Sequence, residues 1–329
     1  MNPFPDVLPE MPVSKNSPYY NMDHPDRGRA VIFNFDEWVD TSNNRAGSAK
    51  DKNDLAKCLE DLDFDVLTKD NLDTHEFWKI LREVRDEDHR SRDCLVVAIM
   101  SHGEKNHILL RDETLVPLSL ILEVFQTDKC PTLAGKPKIF IIQACRGKGC
   151  DTGTRLYSKE FVSNPCQMDV TDSGAFCYLN PNSADSFVAF SCPPGQRAFR
   201  NRYNGSWFIQ AICKIFKEEA YNEDIQALFT NVAREVALNN QSSTFDVETE
   251  TDKKVQVPVS KSTLIRKVMF RPKRIIPLQP KIDQVIDSFE NIIGNNKQLL
   301  PPPSTVVEVN NHYCLDNPVP KIKKNCQLM

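Results

Sequence analysis

The sequence predicts an α/β fold in which a mainly parallel sheet lies between two layers of helices. Short apolar segments alternate with longer segments whose apolar residues recur at helical spacing. Several short segments are uninterrupted, among them Leu95–Met100 and Ile139–Ile142, which is typical of strands covered on both faces. This alternation favours parallel strands, because a helical crossover returns the chain to the same end of the sheet.

The predicted elements follow one another regularly along the chain. The predicted strands are Ala30–Phe33, Phe64–Thr68, Cys94–Met100, His107–Leu110, Lys138–Ile142 and Ser186–Phe190. The predicted helices carry apolar stripes that include Leu55 and Leu59, Phe77 and Leu81, Phe208 and Ile212, and Leu228 and Val232. Ser206 precedes the third stripe and is predicted to cap that helix, because its hydroxyl oxygen can accept a hydrogen bond from an unpaired backbone N–H.

Composition and charge narrow the classes of function. Apolar residues make up 40% and charged residues 26%, which is typical of a globular protein. The net charge of −4 does not favour nucleic acid as a partner, and neither GxGxxG nor GxxxxGK[ST] occurs. The 11 cysteines include no CxxC pair, and no secretory signal or long apolar segment is present. We therefore expect a reduced, cytoplasmic protein without a metal ion or other cofactor.

Residues that can carry chemistry follow two of the predicted strands. Met100 is followed by Ser-His-Gly, and Ile142 by Gln-Ala-Cys. Sites in such sheets lie beyond the carboxyl ends of the strands, so His102 and Cys145 could meet there. A thiol needs a base to become a nucleophile, and an imidazole can be that base and later protonate a leaving amine. The backbone N–H groups of Gly103 and Cys145 are candidates for an oxyanion hole.

The residues around this pair resemble the caspase family. QACRG contains Cys145, which lies 43 residues after His102. Further matching segments are YYNMDHPDRGRAVIFNF, NNRAG, EDHRSRDCLVVAIMSHGE, LAGKPKIFIIQACRG and FRNRYNGSWFIQAIC. The resemblance covers about residues 19–272. It implies a caspase-like three-layer sandwich, an aspartate-specific cysteine endopeptidase with the His102–Cys145 dyad, and self-association as a dimer.

The resemblance also implies which residues bind substrate. Arg45, Gln143 and Arg200 correspond to the pocket for the aspartate that precedes the scissile bond. Two guanidinium groups and an amide can satisfy one carboxylate through charge-assisted hydrogen bonds. A neutral analogue would leave them unpaired, and such sites discriminate by about 10⁴–10⁵-fold.

Other family positions suggest an extended substrate-binding groove. Phe199 and Trp207 correspond to apolar walls for the second and fourth residues before the cut, although both could simply be core residues. Asn201 corresponds to a hydrogen-bonding partner for an acidic residue at the fourth position. The resemblance further suggests that a backbone carbonyl near Asn43 orients His102.

A long stretch after Cys145 is predicted to contain the activation site. It includes the residues DVTD, which end at Asp172 and have the DxxD form preferred by effector caspases. We expect a zymogen that is cleaved in the 151–185 linker after Asp172, with Asp151 and Asp185 as weaker alternatives.

The resulting organisation has four parts. Residues 1–18 form a short, flexible prodomain, 19–172 the large-subunit region, and 173–272 the small-subunit region. The prodomain is too short for a helical recruitment module, which favours an effector that acts in the execution of apoptosis. Its expected partners are protein substrates with DxxD-like sites, an upstream initiator caspase and inhibitor-of-apoptosis proteins. The Pro-rich extension 273–329 includes a predicted amphipathic helix over 281–293.

Three features depart from the family pattern. Lys261 lies in the strand that pairs two caspase protomers, where its copy would oppose it and weaken the dimer. Arg197 replaces an aromatic residue at the second subsite and favours acidic or polar side chains there. The final residues CQLM loosely fit a prenylation signal at Cys326, which with Lys321 and Lys324 could attach the tail to a membrane.

Two other functions stay open on the sequence alone. A catalytically silent caspase homologue would act as a binding or regulatory module, and the polar dimer strand is the feature that favours it. A related peptidase that cuts after arginine or lysine would need an acidic specificity pocket, which Arg45 and Arg200 disfavour.

Overall fold

The computed structural model describes residues 11–153, 180–243 and 251–273. All of these residues lie within the unit Met1–Ile275. The strands and α-helices in chain order are β1 Asp26–Asn34, α1 Ser48–Glu60, β2 Asp65–Asp70, α2 Thr74–Asp86, β3 Arg92–Met100, β4 Gly103–Glu104, β5 His107–Leu109, β6 Leu115–Pro117, α3 Leu118–Val124, β7 Lys138–Gln143, β8 Ser186–Phe190, β9 Arg200–Asn201, β10 Gly205–Ser206, α4 Trp207–Glu219, α5 Ile225–Asn239 and β11 Val259–Ser262.

The central sheet has six strands in the order β11-β8-β7-β3-β1-β2. Neighbouring strands from β8 to β2 pair in parallel, and β11 pairs antiparallel with β8 at one edge. The predicted α/β class with a mainly parallel sheet is therefore confirmed. The register sets Met100 of β3 beside Gln143 of β7, so these two strands end level with each other.

Two apolar cores cover the two faces of the sheet. Alternate residues of β3 enter them: Cys94, Val96, Ala98 and Met100 pack on one face and Leu95, Val97 and Ile99 on the other. Residues of α1, α4 and α5 complete the first core, and residues of α2 and α3 complete the second. The uninterrupted apolar run of β3 reflects this burial on both faces.

The four predicted helices are present as α1, α2, α4 and α5. Ser206 caps α4 as expected, since its Oγ accepts a hydrogen bond from the N–H of Ile209 at 3.4 Å. The segment predicted as the strand His107–Leu110 forms β5, but it lies in a separate three-stranded sheet, β4-β5-β6. Lys105 and Asn106 have positive φ angles of 47° and 70°, and this tight turn folds β5 back onto β4.

Residues 11–18, the described part of the predicted prodomain, contact the domain. The Arg266 guanidinium donates hydrogen bonds to the carbonyls of Ser14 and Lys15, the latter at 3.0 Å. The Lys267 N–H donates to the carbonyl of Pro18 at 2.8 Å. In the described ranges, no helix has the length and apolar character needed to cross a membrane.

Candidate active site

The ends of β3 and β7 bring the predicted dyad together in one pocket. The pocket has a volume of about 540 Å³, and both His102 and Cys145 line it. The Ser101 N–H donates to the Gln143 carbonyl at 3.0 Å. This bond extends the pairing of β3 and β7 to the residue just before His102. The predicted substrate-binding residues line the same pocket: Arg45, Gln143, Phe199, Arg200, Asn201 and Trp207.

His102 is held by its ring nitrogen and by an aromatic neighbour. Its Nε2 lies 2.7 Å from the carbonyl oxygen of Asn43, which is the contact that the family resemblance suggested. An Nε2 that donates to a carbonyl leaves Nδ1 as the basic nitrogen of the neutral ring. The Trp38 ring centroid lies 4.8 Å from the His102 ring, and the Trp38 indole N–H donates to the Leu110 carbonyl at 3.0 Å.

The electrostatic environment favours the neutral form of His102. Burial lowers the pKa of its imidazole, and the positive charges of Arg45 and Arg200 lower it further, against the opposing effect of the Asn43 carbonyl. The ring is therefore unprotonated at neutral pH, as a general base must be.

Cys145 is half-buried, and its thiol contacts the chain that follows β8. The N–H of Ala198 lies 3.5 Å from Sγ. Gly103 packs closely against the main chain of His107 and Cys145, since a Cβ at that position would lie 2.6 Å from the His107 carbonyl oxygen and 2.9 Å from that of Cys145. A side chain at this position would not fit, so glycine allows the main chains of Gly103 and Cys145 to lie side by side.

Arg45 and Arg200 give the pocket its positive charge. Arg45 is buried, and its guanidinium donates to the Phe35 carbonyl at 2.8 Å and to Ser48 Oγ at 2.7 Å. Arg200 Nε donates to the Ala46 carbonyl at 3.0 Å. These acceptors are uncharged. Burial, followed by the charge of Arg200, lowers the pKa of Arg45 to about 9, and burial also lowers the pKa of Arg200.

Gln143 and Asn201 supply amide groups to the same pocket. The Gln143 side chain is buried, and its Oε1 has no hydrogen-bond partner among the described residues. Asn201 Oδ1 accepts hydrogen bonds from the N–H groups of Tyr203 and Asn204 at 2.8 and 2.9 Å. The Asn201 amide nitrogen is therefore the group that can donate to a ligand.

The two predicted aromatic walls are in contact with each other. The Phe199 and Trp207 rings stack with centroids 4.8 Å apart and an angle of 22° between their planes. Together they form an apolar surface next to the charged part of the pocket.

The structure adds pocket residues that sequence reasoning missed. Four polar residues that follow α5 also line the pocket: Gln241, Ser242, Ser243 and Thr251. They come from a polar segment in which no local pattern distinguishes a binding residue from a solvent-exposed one.

Two buried polar side chains outside the pocket lining fix the main chain at or next to pocket residues. Gln256 Oε1 accepts from the Phe199 N–H at 2.6 Å, while its Nε2 donates to the Ser191 carbonyl at 2.7 Å. Asp51 accepts from the Ser206 N–H at 2.8 and 3.0 Å. Both act across long stretches of sequence, so no local signal could have revealed them.

The remaining predicted positions are distributed as follows. Arg197 lines the pocket, and its Nε donates to the Lys148 carbonyl at 2.9 Å.

Of the candidate cleavage sites, Asp151 pairs with Val255 in an isolated bridge. Asp185 is buried, has a φ angle of 66° and accepts a hydrogen bond from the Tyr20 hydroxyl at 2.8 Å, so it is inaccessible as a cleavage site. Asp172, Cys326 and the helix predicted over 281–293 lie outside the described residues.

Comparison with known proteins agrees with this geometry. The family model described as "Caspase domain" matches residues 27–269. Caspase-1 of Spodoptera frugiperda is 38% identical over 271 residues, covering 82% of this chain and 87% of that protein. Caspase drICE of Drosophila melanogaster is 34% identical, covering 82% of this chain and 77% of that protein.

A solved structure shows the same fold. The crystal structure of Caspase-1 from Spodoptera frugiperda matches with a TM-score of 0.73 and 37% identity, covering 82% of this chain and 99% of that one. The family model, the sequence relatives and this structure agree over most of the chain. From its sequence, its sheet and its relatives, the chain thus belongs to the caspase family of cysteine peptidases.

Proposed function

We propose that this chain cleaves proteins after aspartate, with Cys145 as the nucleophile and His102 as the general base and acid. The observation that supports this most directly is the pair Arg45 and Arg200, which line the pocket of the dyad and have uncharged hydrogen-bond acceptors. Burial lowers the pKa of both guanidinium groups, so both gain from a negatively charged ligand. A substrate carboxylate supplies that charge.

The proposed reaction has two halves. His102 Nδ1 takes the proton of Cys145, and the thiolate attacks the carbonyl carbon after the bound aspartate. The backbone N–H groups of Gly103 and Cys145 stabilise the oxyanion, and the His102 imidazolium then protonates the leaving amine. Water, activated by the same imidazole, hydrolyses the thioester and restores the free thiol.

Selectivity follows from the chemistry of the pocket. Arg45, Arg200 and the Gln143 amide bind the aspartate carboxylate. Phe199 and Trp207 supply the apolar subsite wall, and the Asn201 amide donates to an acidic residue four positions before the cut. These features support a DxxD-like preference.

The second subsite differs from the family pattern. Arg197 lines it in place of an aromatic residue, and its positive charge favours an acidic or polar side chain at that position.

We further propose that the chain is a zymogen of the executioner type. His102 and Cys145 precede residues 154–179, whereas Arg200 and Trp207 follow them, so a cut after Asp172 would divide the residues of one pocket between two chains. The DxxD form of the residues ending at Asp172 supports activation by an upstream caspase in the cytoplasm during apoptosis. Inhibitor-of-apoptosis proteins would then act on the same pocket, and self-association would take place through the edge strand β11.

A pair of matched peptides tests the proposal. One peptide carries aspartate before the scissile bond in a DxxD sequence, and the other carries asparagine at that position alone. We expect kcat/KM for the asparagine peptide to be lower by about 10⁴-fold or more, because it offers the two guanidinium groups no charged hydrogen-bond acceptor.

The Cys145→Ala variant is the control and should cleave neither peptide. Equal turnover of both peptides would contradict the aspartate pocket. No turnover by folded, linker-cleaved protein would instead support a silent binding module.

A further inference from the structure

A second pocket, separate from that of the dyad, lies between α1 and α4. It has a volume of about 450 Å³, and its wall contains the thiols Cys58 and Cys213 together with Leu62, Lys214 and Tyr221. None of these residues lines the pocket of His102 and Cys145. A small molecule that enters this cavity can therefore reach two cysteines that the peptidase reaction does not use.

The two thiols are partners of each other. Cys58 on α1 and Cys213 on α4 lie in the wall of the same pocket, where their side chains interact, and both are free and half-buried. Cys94, in contrast, is fully buried, and this burial raises the pKa of its thiol to about 12, which suppresses its reactivity. Cys58 and Cys213 thus combine mutual contact with access from solvent.

Hydrogen bonds between α1 and α4 hold together the two helices that carry Cys58 and Cys213. Gln210 of α4 donates to Asp54 of α1 at 3.0 Å and to Asp51 at 3.3 Å, and Asp51 binds the Ser206 N–H. Gln210 and Asp54 lie within about one helical turn of Cys213 and Cys58, so a disulfide between the two thiols would link helices that already pack together at this level.

We propose that Cys58 and Cys213 form a redox-active dithiol site that reacts with a small-molecule disulfide such as glutathione disulfide and closes as an intramolecular disulfide between α1 and α4. The thiolate of one of the two cysteines attacks one glutathione sulfur, forms a mixed disulfide and releases one glutathione. The thiolate of the other cysteine then attacks the protein sulfur of the mixed disulfide and releases the second glutathione. Two protein thiols are oxidised, one glutathione disulfide is reduced to two thiols, and the two protein protons end on the glutathiones.

The two cysteines lie on either side of the proposed cleavage site, so their disulfide would affect the cleaved protein. Cys58 precedes residues 154–179 and Cys213 follows them. If the chain is cut after Asp172, which is part of the proposed function, the disulfide links the two products covalently. The formation of the disulfide itself does not depend on that cut.

The test uses the full chain with the Cys145→Ala substitution, so that neither proteolysis nor the catalytic thiol contributes. The protein is incubated with glutathione disulfide, alkylated with iodoacetamide and digested with trypsin. Trypsin isolates each cysteine in a peptide with no other cysteine, 58–69 and 203–214. We expect one linked species whose mass is two hydrogens below the sum of the two peptides and which disappears after reduction with dithiothreitol.

Cys58→Ser and Cys213→Ser in the same background are the matched controls, and neither should give the linked species. The proposal is overturned if the two peptides are recovered separately, alkylated or carrying glutathione, or if either cysteine is linked to a different one. Because the tested chain is inactive, a missing crosslink leaves the proposed peptidase untouched. Likewise, failed peptide cleavage does not affect the crosslink.

Discussion

At the scale of single residues, Arg45 shows how burial creates selectivity. A buried guanidinium loses its hydration, and the neutral acceptors Phe35 and Ser48 replace only part of it. The nearby charge of Arg200 adds to this cost. A ligand that supplies a carboxylate restores the balance for both side chains at once, whereas a neutral ligand does not.

Replacing Arg200 with lysine tests this account. Lysine keeps the charge but cannot donate through the planar fork of a guanidinium. We expect Arg200→Lys to reduce kcat/KM for a DxxD peptide by roughly 10- to 150-fold, the equivalent of about 1.5–3 kcal/mol for a hydrogen bond to a charged group. The exposed Arg202, which does not line the pocket, provides the control: Arg202→Lys should leave kcat/KM unchanged. An equal loss in both variants would contradict the assignment.

The lowered pKa of His102 predicts a pH dependence. Protonation of the imidazole removes the base, so kcat/KM falls as the pH decreases through the pKa of His102. Burial and the two arginines lower this pKa. The acidic limb of the pH profile should therefore have its midpoint below the ordinary histidine value of about 6.5. A steady-state pH series with the aspartate peptide measures it, and a midpoint above that value would contradict the proposed environment.

The sequence was informative about residues that lie next to a strand end. His102 and Cys145 could be placed together because each follows a strongly apolar strand, and parallel strands end at one edge of the sheet. The arginines could be assigned only through the family resemblance, since an isolated arginine carries no local signal. Gln256 and Asp51 were missed because their partners, Phe199 and Ser206, are distant in sequence.

At the scale of elements, the start of α4 contributes both to the stability of the fold and to the wall of the pocket. Ser206 caps the helix, and the next residue, Trp207, forms an aromatic wall of the pocket. The Ser206 N–H is bound by Asp51 of α1, so both helices determine where the wall lies. A change at this cap should therefore affect catalysis as well as folding.

Two N-cap substitutions separate these effects. Both Ser206→Ala and Asp224→Ala remove a cap and should lower the free energy of unfolding by about 1 kcal/mol. Asp224 caps α5, outside the residues that line the pocket. We expect only Ser206→Ala to lower kcat/KM as well. Urea unfolding and peptide kinetics on both variants provide the measurements. An unchanged kcat/KM for Ser206→Ala would contradict the proposed effect of the α4 cap on catalysis.

The elements differed in how far they could be predicted. β3 and β7 are buried on both faces, so Cys94–Met100 of β3 and Ile139–Ile142 of β7 are continuously apolar. The predicted strand His107–Leu110 was correct as a strand, but its membership of a separate sheet depends on the turn at Lys105 and Asn106. α3, a helix of seven residues, is too short to show a helical period clearly.

At the scale of the whole molecule, β11 is the edge through which we propose that two copies meet. Among the described residues, β11 pairs only with β8, and Ser260, Lys261 and Ser262 are exposed. A two-fold axis near Lys261 would bring two ammonium groups together, and like charges directly opposite each other destabilise strand pairing.

Lys261→Val should therefore strengthen self-association. Removing the repulsion is worth roughly 0.2–1 kcal/mol, which lowers the dimer dissociation constant by about 1.4- to five-fold. In the wild type, added salt should produce a change in the same direction because it screens the charges. Sedimentation equilibrium measures both, with Lys69→Val on β2 at the opposite edge of the sheet as the control. An unchanged dimer dissociation constant for Lys261→Val would contradict the proposed repulsion between the two Lys261 side chains.

The pairing of β7 with β8 affects how the processed protein melts. These strands pair from Lys138 with Ser186 to Ile142 with Phe190, and residues 154–179 connect them in sequence. If that connection is cut, the sheet still joins the two fragments, but unfolding then releases two molecules instead of one. The melting temperature of the reduced, processed protein should then rise with protein concentration, whereas that of the intact chain depends on concentration only through self-association.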